Sequence, residues 1–236
     1  MRNWFTFGDI ISTDYGVYIS GTGVYDAPAR TFETVSIPGR SGDLILGADR
    51  LENIELTYPA FVYADFKQSV RNLKSALLAK TGYLRLSDTY YPDEFRIAYF
   101  PGPVTVDPAA WHDAGEFDLT FICKPQRWLK SGEETIEFTA SGGYINNPTP
   151  FPSKPLIRVT GYGELYIGSQ RIAISSGFSY IDIDSDVMEC YNSTQSAGTK
   201  VVFGSADFPE LPAGKTGITW SGNISKVAIT PRWWWI

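Results

Sequence analysis

A chain of 236 residues with 43% hydrophobic and 15% aromatic side chains has ample apolar material for packed cores and is too apolar for disorder. Its 20 basic against 26 acidic residues give a net charge of −6 with no Lys/Arg cluster, which argues against general nucleic-acid binding, a process dominated by phosphate neutralisation. The start, Met1 to Asp9, holds no uninterrupted apolar core, and no stretch approaches the ~18 apolar residues of a membrane span, so neither a signal peptide nor membrane insertion is expected.

In chain order, period-2 alternation dominates and predicts half-buried antiparallel strands. Thr31 to Ile37 alternates imperfectly, Glu52 to Tyr58 and Phe117 to Cys123 cleanly. Gly82 to Leu86, Glu94 to Phe100 and Val104 to Val106 add short strands between Asp, Pro and Gly turns. One segment departs from this pattern. Phe66, Val70, Leu73, Leu77 and Leu78 form a single apolar stripe with Lys67, Gln68, Arg71, Asn72 and Lys74 opposite, predicting an amphipathic helix over about 65–80. Asp65 is placed to cap its N-terminus and Gly82 to follow its end.

From Ser131 the character changes. Ser131-Gly132, Ser141-Gly142-Gly143 and the Pro-rich stretch 147–152 surround one plausible strand, Glu134 to Thr139, and place a boundary between domains over 1–131 and 132–236. Beyond it come strand candidates alone: Lys154 to Thr160, Glu164 to Ile167, Gln170 to Ile174, Tyr180 to Asp184, Val187 to Tyr191, Lys200 to Ser205, Thr216 to Ser221 and Lys226 to Thr230. With Gly168-Ser169 as a two-residue hairpin turn, they describe a β-sandwich. The fold class is thus mainly β, with one helix in the first domain.

The chain closes on Trp233-Trp234-Trp235-Ile236. Each indole is worth about 2–3 kcal/mol when buried, so the tail is expected to be docked, with Trp233 and Trp235 on one surface and Trp234 on another. Arg232 to Trp235 are therefore candidate domain-docking residues.

Catalytic candidates are few. His112 is the single histidine and no GxSxG elbow accompanies it, so a surface loop role fits better than a nucleophilic system. Cys123 and Cys190 are solitary, predicting reduced, half-buried thiols and no zinc set. Asp182-Ile183-Asp184-Ser185-Asp186 resembles the start of a calcium loop but lacks its glycine and closing Glu, which leaves Asp182 and Asp184 on a solvent face. Carboxylate pairs for glycoside hydrolysis exist in any chain this acidic. Gly161-Tyr162-Gly163 and Gly21-Thr22-Gly23 are turns, without the context of a phosphate loop. Tyr90, Tyr91, Tyr99, Phe100 and Trp111 offer a sugar-stacking platform or ordinary packing. No catalytic, metal or cofactor residue is assigned. Ile37-Pro38-Gly39-Arg40-Ser41-Gly42-Asp43-Leu44 joins two strands through a Pro-Gly turn. Arg40 and Asp43 flank it, either as a local ion pair or at a subunit interface.

Four segments carry a family resemblance: Ile37 to Leu44; the helix followed by Gly82 to Leu86; Pro155 to Gly163 followed by Tyr180 to Asp184; and Phe208-Pro209-Glu210-Leu211 leading through Gly222-Asn223-Ile224 to Ile229 through Trp235. In this order they resemble the distal tail protein (Dit) family of long-tailed, non-contractile bacteriophages. Pro212 to Gly217 departs from the family pattern as an inserted connection. The resemblance implies an N-terminal ring-forming β domain, a C-terminal galectin-like β-sandwich and a homohexameric ring at the distal end of the virion tail, synthesised and assembled in the host cytoplasm. It implies partners in the major tail protein tube and in tail-associated fibre, lysin or baseplate proteins, an architectural and non-enzymatic role, and ring contacts from Pro38, Gly39, Arg40, Gly42 and Asp43. The alternatives are a carbohydrate-binding β-sandwich recognising host wall polymers and, third, a wall-degrading enzyme.

Overall fold

Ile54–Val62 buries every second residue up to Ala60 and again at Val62, and this alternation fixes the face of the first sheet. The computed structural model describes residues 2–21, 26–47, 50–104, 114–205 and 207–236. The chain divides into two compact units, one running to Arg127 and the other spanning Trp128–Trp235.

In the first unit the strands lie in the order Ile10–Ile11, Phe5–Phe7, Leu84–Asp88, Glu94–Tyr99, Gly115–Cys123, Ile54–Val62 and Val17–Ile19, all neighbours antiparallel. Phe121 sits at the centre of its core, with the rings of Phe5, Phe7, Phe100 and Tyr58 at 5.4, 5.2, 5.3 and 6.0 Å. The helix is Phe66–Leu78, and Phe66, Val70, Leu73 and Leu77 are its buried stripe. Its start differs from the sequence expectation. Asp65 is left-handed (φ 54°) and its side chain makes no capping bond; its carbonyl instead accepts from the N–H groups of Gln68 and Ser69. Gly82 is left-handed too, but it lies in the connection after the αR cap Ala79. The short strands before residue 20 escaped the sequence reading because two or three residues carry too little periodicity. The expected strand Val104 to Val106 falls, from residue 105 on, outside the described residues.

The second unit is a sandwich. One sheet runs Ile136–Phe138, Lys226–Thr230, Leu156–Thr160, Tyr180–Asp184, Glu189–Asn192, Gln195–Ser196; the other runs Gly143–Asn147, Gly214–Gly222, Gly163–Ile167, Gln170–Ile174, Val201–Phe203. Register stacks the core in rows: Ile157 lies opposite both Ile183 and Ile229, Val159 opposite Ile181 and Val227, and Ile167 opposite Ile218. All are fully buried or nearly so, each contributing about 1.5–3 kcal/mol. Two expectations change here. Gly143–Asn147 is a strand inside the stretch read as boundary, and Gly214–Gly222 shows that most of the segment read as an inserted connection continues a strand. Glycine content masked both.

Asp182 and Asp184 are buried, 3% and 6% exposed, and do not face solvent as expected. Each is consumed by a fork-on-fork arginine pair: Arg158 donates through Nε and Nη2 to Asp182 at 2.7 and 2.8 Å, and Arg232 through Nη1 and Nη2 to Asp184 at 2.6 and 2.9 Å. Among the described residues no cluster of His, Cys, Asp or Glu can hold a metal. Arg232 is also left-handed (φ 57°), a conformation held by that ion pair and by its N–H donating to the Gly132 carbonyl at 2.7 Å.

This latch sets the tail. Trp233 is 4% exposed in the second core, and its carbonyl accepts from the Leu129 N–H at 2.9 Å. Trp234 stacks on Phe151 (centroids 4.6 Å apart, 18° between planes) and donates Nε1–H to the Pro152 carbonyl at 3.0 Å. Trp235 remains 40% exposed, so the expectation that every indole be covered holds for two of the three. Gly132 is required because a Cβ there would run into the Trp233 backbone nitrogen.

Gly132→Ala is therefore expected to destabilise the second unit by about 1–3 kcal/mol, the range of an overpacked contact, read as a lower thermal midpoint; an unchanged midpoint would mean the tail is not held there. Burial alone would raise the Asp184 carboxyl, but the hydrogen bonds and charge of Arg232 outweigh it and hold the group below its ordinary value. Its stabilising contribution is thus complete above the ordinary aspartate value of ~3.9 and lost as pH falls through that value towards the folded one. Arg232→Met should cost about 2–3 kcal/mol at neutral pH, less than the roughly 3–5 of a fully buried pair, because the arginine side chain keeps 27% exposure. The variant should also lose stability less steeply than the native chain on acidification, measured by denaturant titration across pH.

Candidate assembly interface

Glu33–Ser36 and Asp43–Gly47 pair antiparallel as a two-stranded sheet that, among the described residues, joins no other sheet. Its stem continues downwards: the Thr31 N–H donates to the Arg50 carbonyl at 3.0 Å, the Glu52 N–H to the Ala29 carbonyl at 2.9 Å, and the Thr31 hydroxyl to Glu52 Oε1 at 3.1 Å. At the tip, Ile37-Pro38-Gly39-Arg40 closes a turn by an Arg40 N–H to Ile37 carbonyl bond of 3.1 Å. Proline presets the first central position and Gly39, at φ 79°, supplies the left-handed second one; Gly42, at φ 84°, turns the chain into the returning strand.

Register decides which way the side chains point. Val35 lies opposite Leu44 on one face and Thr34 opposite Ile45 on the other. The register shifts at Glu33/Thr34, so that Glu33 opposes Gly47 and Leu46 is the extra residue of a β-bulge. Both faces are thus apolar and neither is covered: Phe32, Ile45 and Leu46 are each more than half exposed, and Val35 and Leu44 nearly so. The sequence reading placed the interface at the turn and overlooked these side chains. The available signal was Leu44-Ile45-Leu46, three consecutive apolar residues where a half-buried strand would alternate.

Pro38, Gly39, Arg40, Gly42 and Asp43 come together at this tip; all five are exposed, and all but Asp43 lie outside regular strand. Neither the Arg40 nor the Asp43 side chain has an ion-pair partner among the described residues, so the local pair considered for them is not formed. Arg232 and the indoles lie in the second unit and serve the latch described above. The aromatic platform is not assembled as a flat surface: Phe100 is buried in the first core, the hydroxyls of Tyr90 and Tyr91 are buried, and Tyr99 meets Tyr83 edge-on at 5.3 Å. Trp111, His112 and Gly23 lie outside the described residues. Both cysteines are free and fully buried, deeper than the half-burial expected, and desolvation pushes the Cys123 thiol up to about 12 and the Cys190 thiol up to about 11. Burial of this kind disfavours the reactive thiolate.

Comparison with known proteins bears on this architecture. Residues 12–123 match the family described as phage tail protein RIFT-related domain. No curated protein matches the chain in sequence. Among solved structures, the chain is similar to the Dit protein of phage SPP1, with a TM-score of 0.77 and 15% identity over 99% of each chain. A chain of the phage p2 baseplate in its activated conformation with Sr aligns at a TM-score of 0.48 and 10% identity, over 97% of this chain and 96% of that one. Within the first unit, residues 12–123 thus resemble the phage tail protein RIFT-related domain, and the chain folds over its whole length like the Dit protein of phage SPP1.

Proposed function

We propose that the chain is the structural hub of a phage tail tip: a hexameric ring that joins the tail tube to the fibre or host-adsorption apparatus, at the distal end of the virion, without catalysis. The observation that carries this reading is the hairpin with two uncovered apolar faces. An isolated two-stranded sheet is marginal in water, and an apolar ribbon this exposed invites association. A symmetric ring resolves the problem, because each subunit's arm is received by its neighbour and closure leaves no arm free.

The family and fold support the same reading. The SPP1 Dit protein is described as a paradigm of hub adsorption apparatus in phages infecting Gram-positive bacteria, and its fold extends over this chain end to end. The proposed partners beyond the ring are the major tail protein tube on one side and baseplate or fibre proteins on the other. In the ring, the rigid Pro38-Gly39 turn costs little ordering on docking and presents Arg40 without an internal partner, which suits an acidic or carbonyl-rich receiving surface.

Two substitutions separate the parts of this proposal, both read by native mass spectrometry and light scattering at tens of micromolar. Ile45→Asp, on a side chain that touches no core, should leave the thermal midpoint within about 0.5 kcal/mol and abolish the oligomer. Arg40→Ala should keep the fold and weaken the oligomer by roughly 1–2 kcal/mol per contact, the scale of a lost charge-assisted hydrogen bond. A native chain that stays strictly monomeric and forms no ring beside tail proteins would overturn the reading; unchanged assembly of Arg40→Ala would remove that residue from the interface.

A further inference from the structure

The open edge of the second sandwich carries a cleft that the ring reading does not use. It encloses about 740 Å³ beside Glu189–Asn192 and Gln195–Ser196 of one sheet and Val201–Phe203 of the other, within the 300–1,000 Å³ of small-ligand sites. Tyr191, Phe203 and Phe208 give it aromatic walls, the last two packed ring to ring at 4.6 Å. The run from Ser193 to Ser196 lines it with three hydroxyls and a carboxamide, all exposed. Glu189 is the one ionisable carboxylate in the lining and no Lys, Arg or His is present there, so the cleft has nothing to neutralise a phosphate or a carboxylate.

Backbone geometry marks the same place. Four non-glycine residues among those described are left-handed, and two of them, Met188 (φ 56°) and Ser193 (φ 54°), line this cleft. Both residues sit in the tight turns that join Tyr180–Asp184 to Glu189–Asn192 and Glu189–Asn192 to Gln195–Ser196, so the turns themselves shape the rim of the cleft. Met188 is 65% exposed at the rim, an unbranched apolar side chain outside the core.

We infer that this cleft binds a neutral saccharide of one to three units. Hydroxyl and amide groups that both donate and accept match vicinal sugar hydroxyls, and aromatic walls match the apolar C–H face of a pyranose. This inference is independent of the ring, since no hairpin residue takes part. It also moves sugar recognition away from the first-unit aromatics considered from sequence and onto the second unit.

The test is amide chemical-shift mapping on the full chain at millimolar probe, with diacetylchitobiose, lactose and maltose as neutral probes and sialyllactose and glucose 6-phosphate as anionic ones. The result expected is saturable shifts at residues 191–196, 201–203 and 208 with at least one neutral probe, and none with glucose 6-phosphate. Gln195→Ala, an exposed position, should leave the thermal midpoint unchanged and weaken that binding by about 5–10-fold, the loss of one net hydrogen bond. Absence of shifts with every neutral probe, shifts mapping elsewhere, binding of the anionic probes alone, or an unaffected Gln195→Ala would each overturn the assignment.

Discussion

A two-stranded ribbon has no interior. Whatever apolar side chains it carries must be covered by something outside the ribbon, and between Glu33 and Gly47 they point to both sides. Burying an arm of this kind against one's own core would occupy one face at most. The two cores are filled without it: Phe121 and its aromatic neighbours fill the first, and isoleucine rows fill the second. The hairpin is thus surplus to both cores, and a cluster of apolar side chains exposed on an arm is what an assembly protein displays.

The second unit solves a different problem, that of a chain end loaded with indoles. The solution is local. A left-handed arginine, pinned by a buried aspartate and by the Gly132 carbonyl, turns the chain so that Trp233 enters the core and Trp234 lies on Phe151. The acidic run that resembled a metal loop is spent on this latch and on the parallel Arg158–Asp182 pair. Carboxylates that might have carried chemistry are instead structural, consistent with an architectural reading.

What the sequence disclosed followed from period. Clean alternation over Glu52 to Tyr58 and Phe117 to Cys123 found parts of Ile54–Val62 and Gly115–Cys123, the 3.6 stripe over about 65–80 found Phe66–Leu78, and Gln170–Ile174, Tyr180–Asp184 and Lys226–Thr230 were legible to the residue. What stayed hidden depended on distant partners. Gly143–Asn147 becomes a strand because Gly214–Gly222 pairs with it; Thr216 to Ser221 was legible as a strand, whereas Gly143–Asn147 does not advertise one by composition. Asp182 and Asp184 stand on the sheet face opposite Ile181 and Ile183 and are buried there by arginines that lie far along the chain. The assembly tip was visible through its turn chemistry, while the exposed apolar ribbon behind it was not, since exposure is a tertiary property that Leu44-Ile45-Leu46 merely hints at.

The central claim is that the ribbon is covered by a neighbouring copy. Hydrogen exchange at the backbone amides of residues 33–47 tests it directly, because a lone two-stranded sheet opens at almost no cost whereas a docked one opens only with its interface. The account predicts near-unprotected exchange in dilute monomer and strong protection of the same amides in the assembled fraction. Rapid exchange of those amides inside an intact oligomer would contradict it.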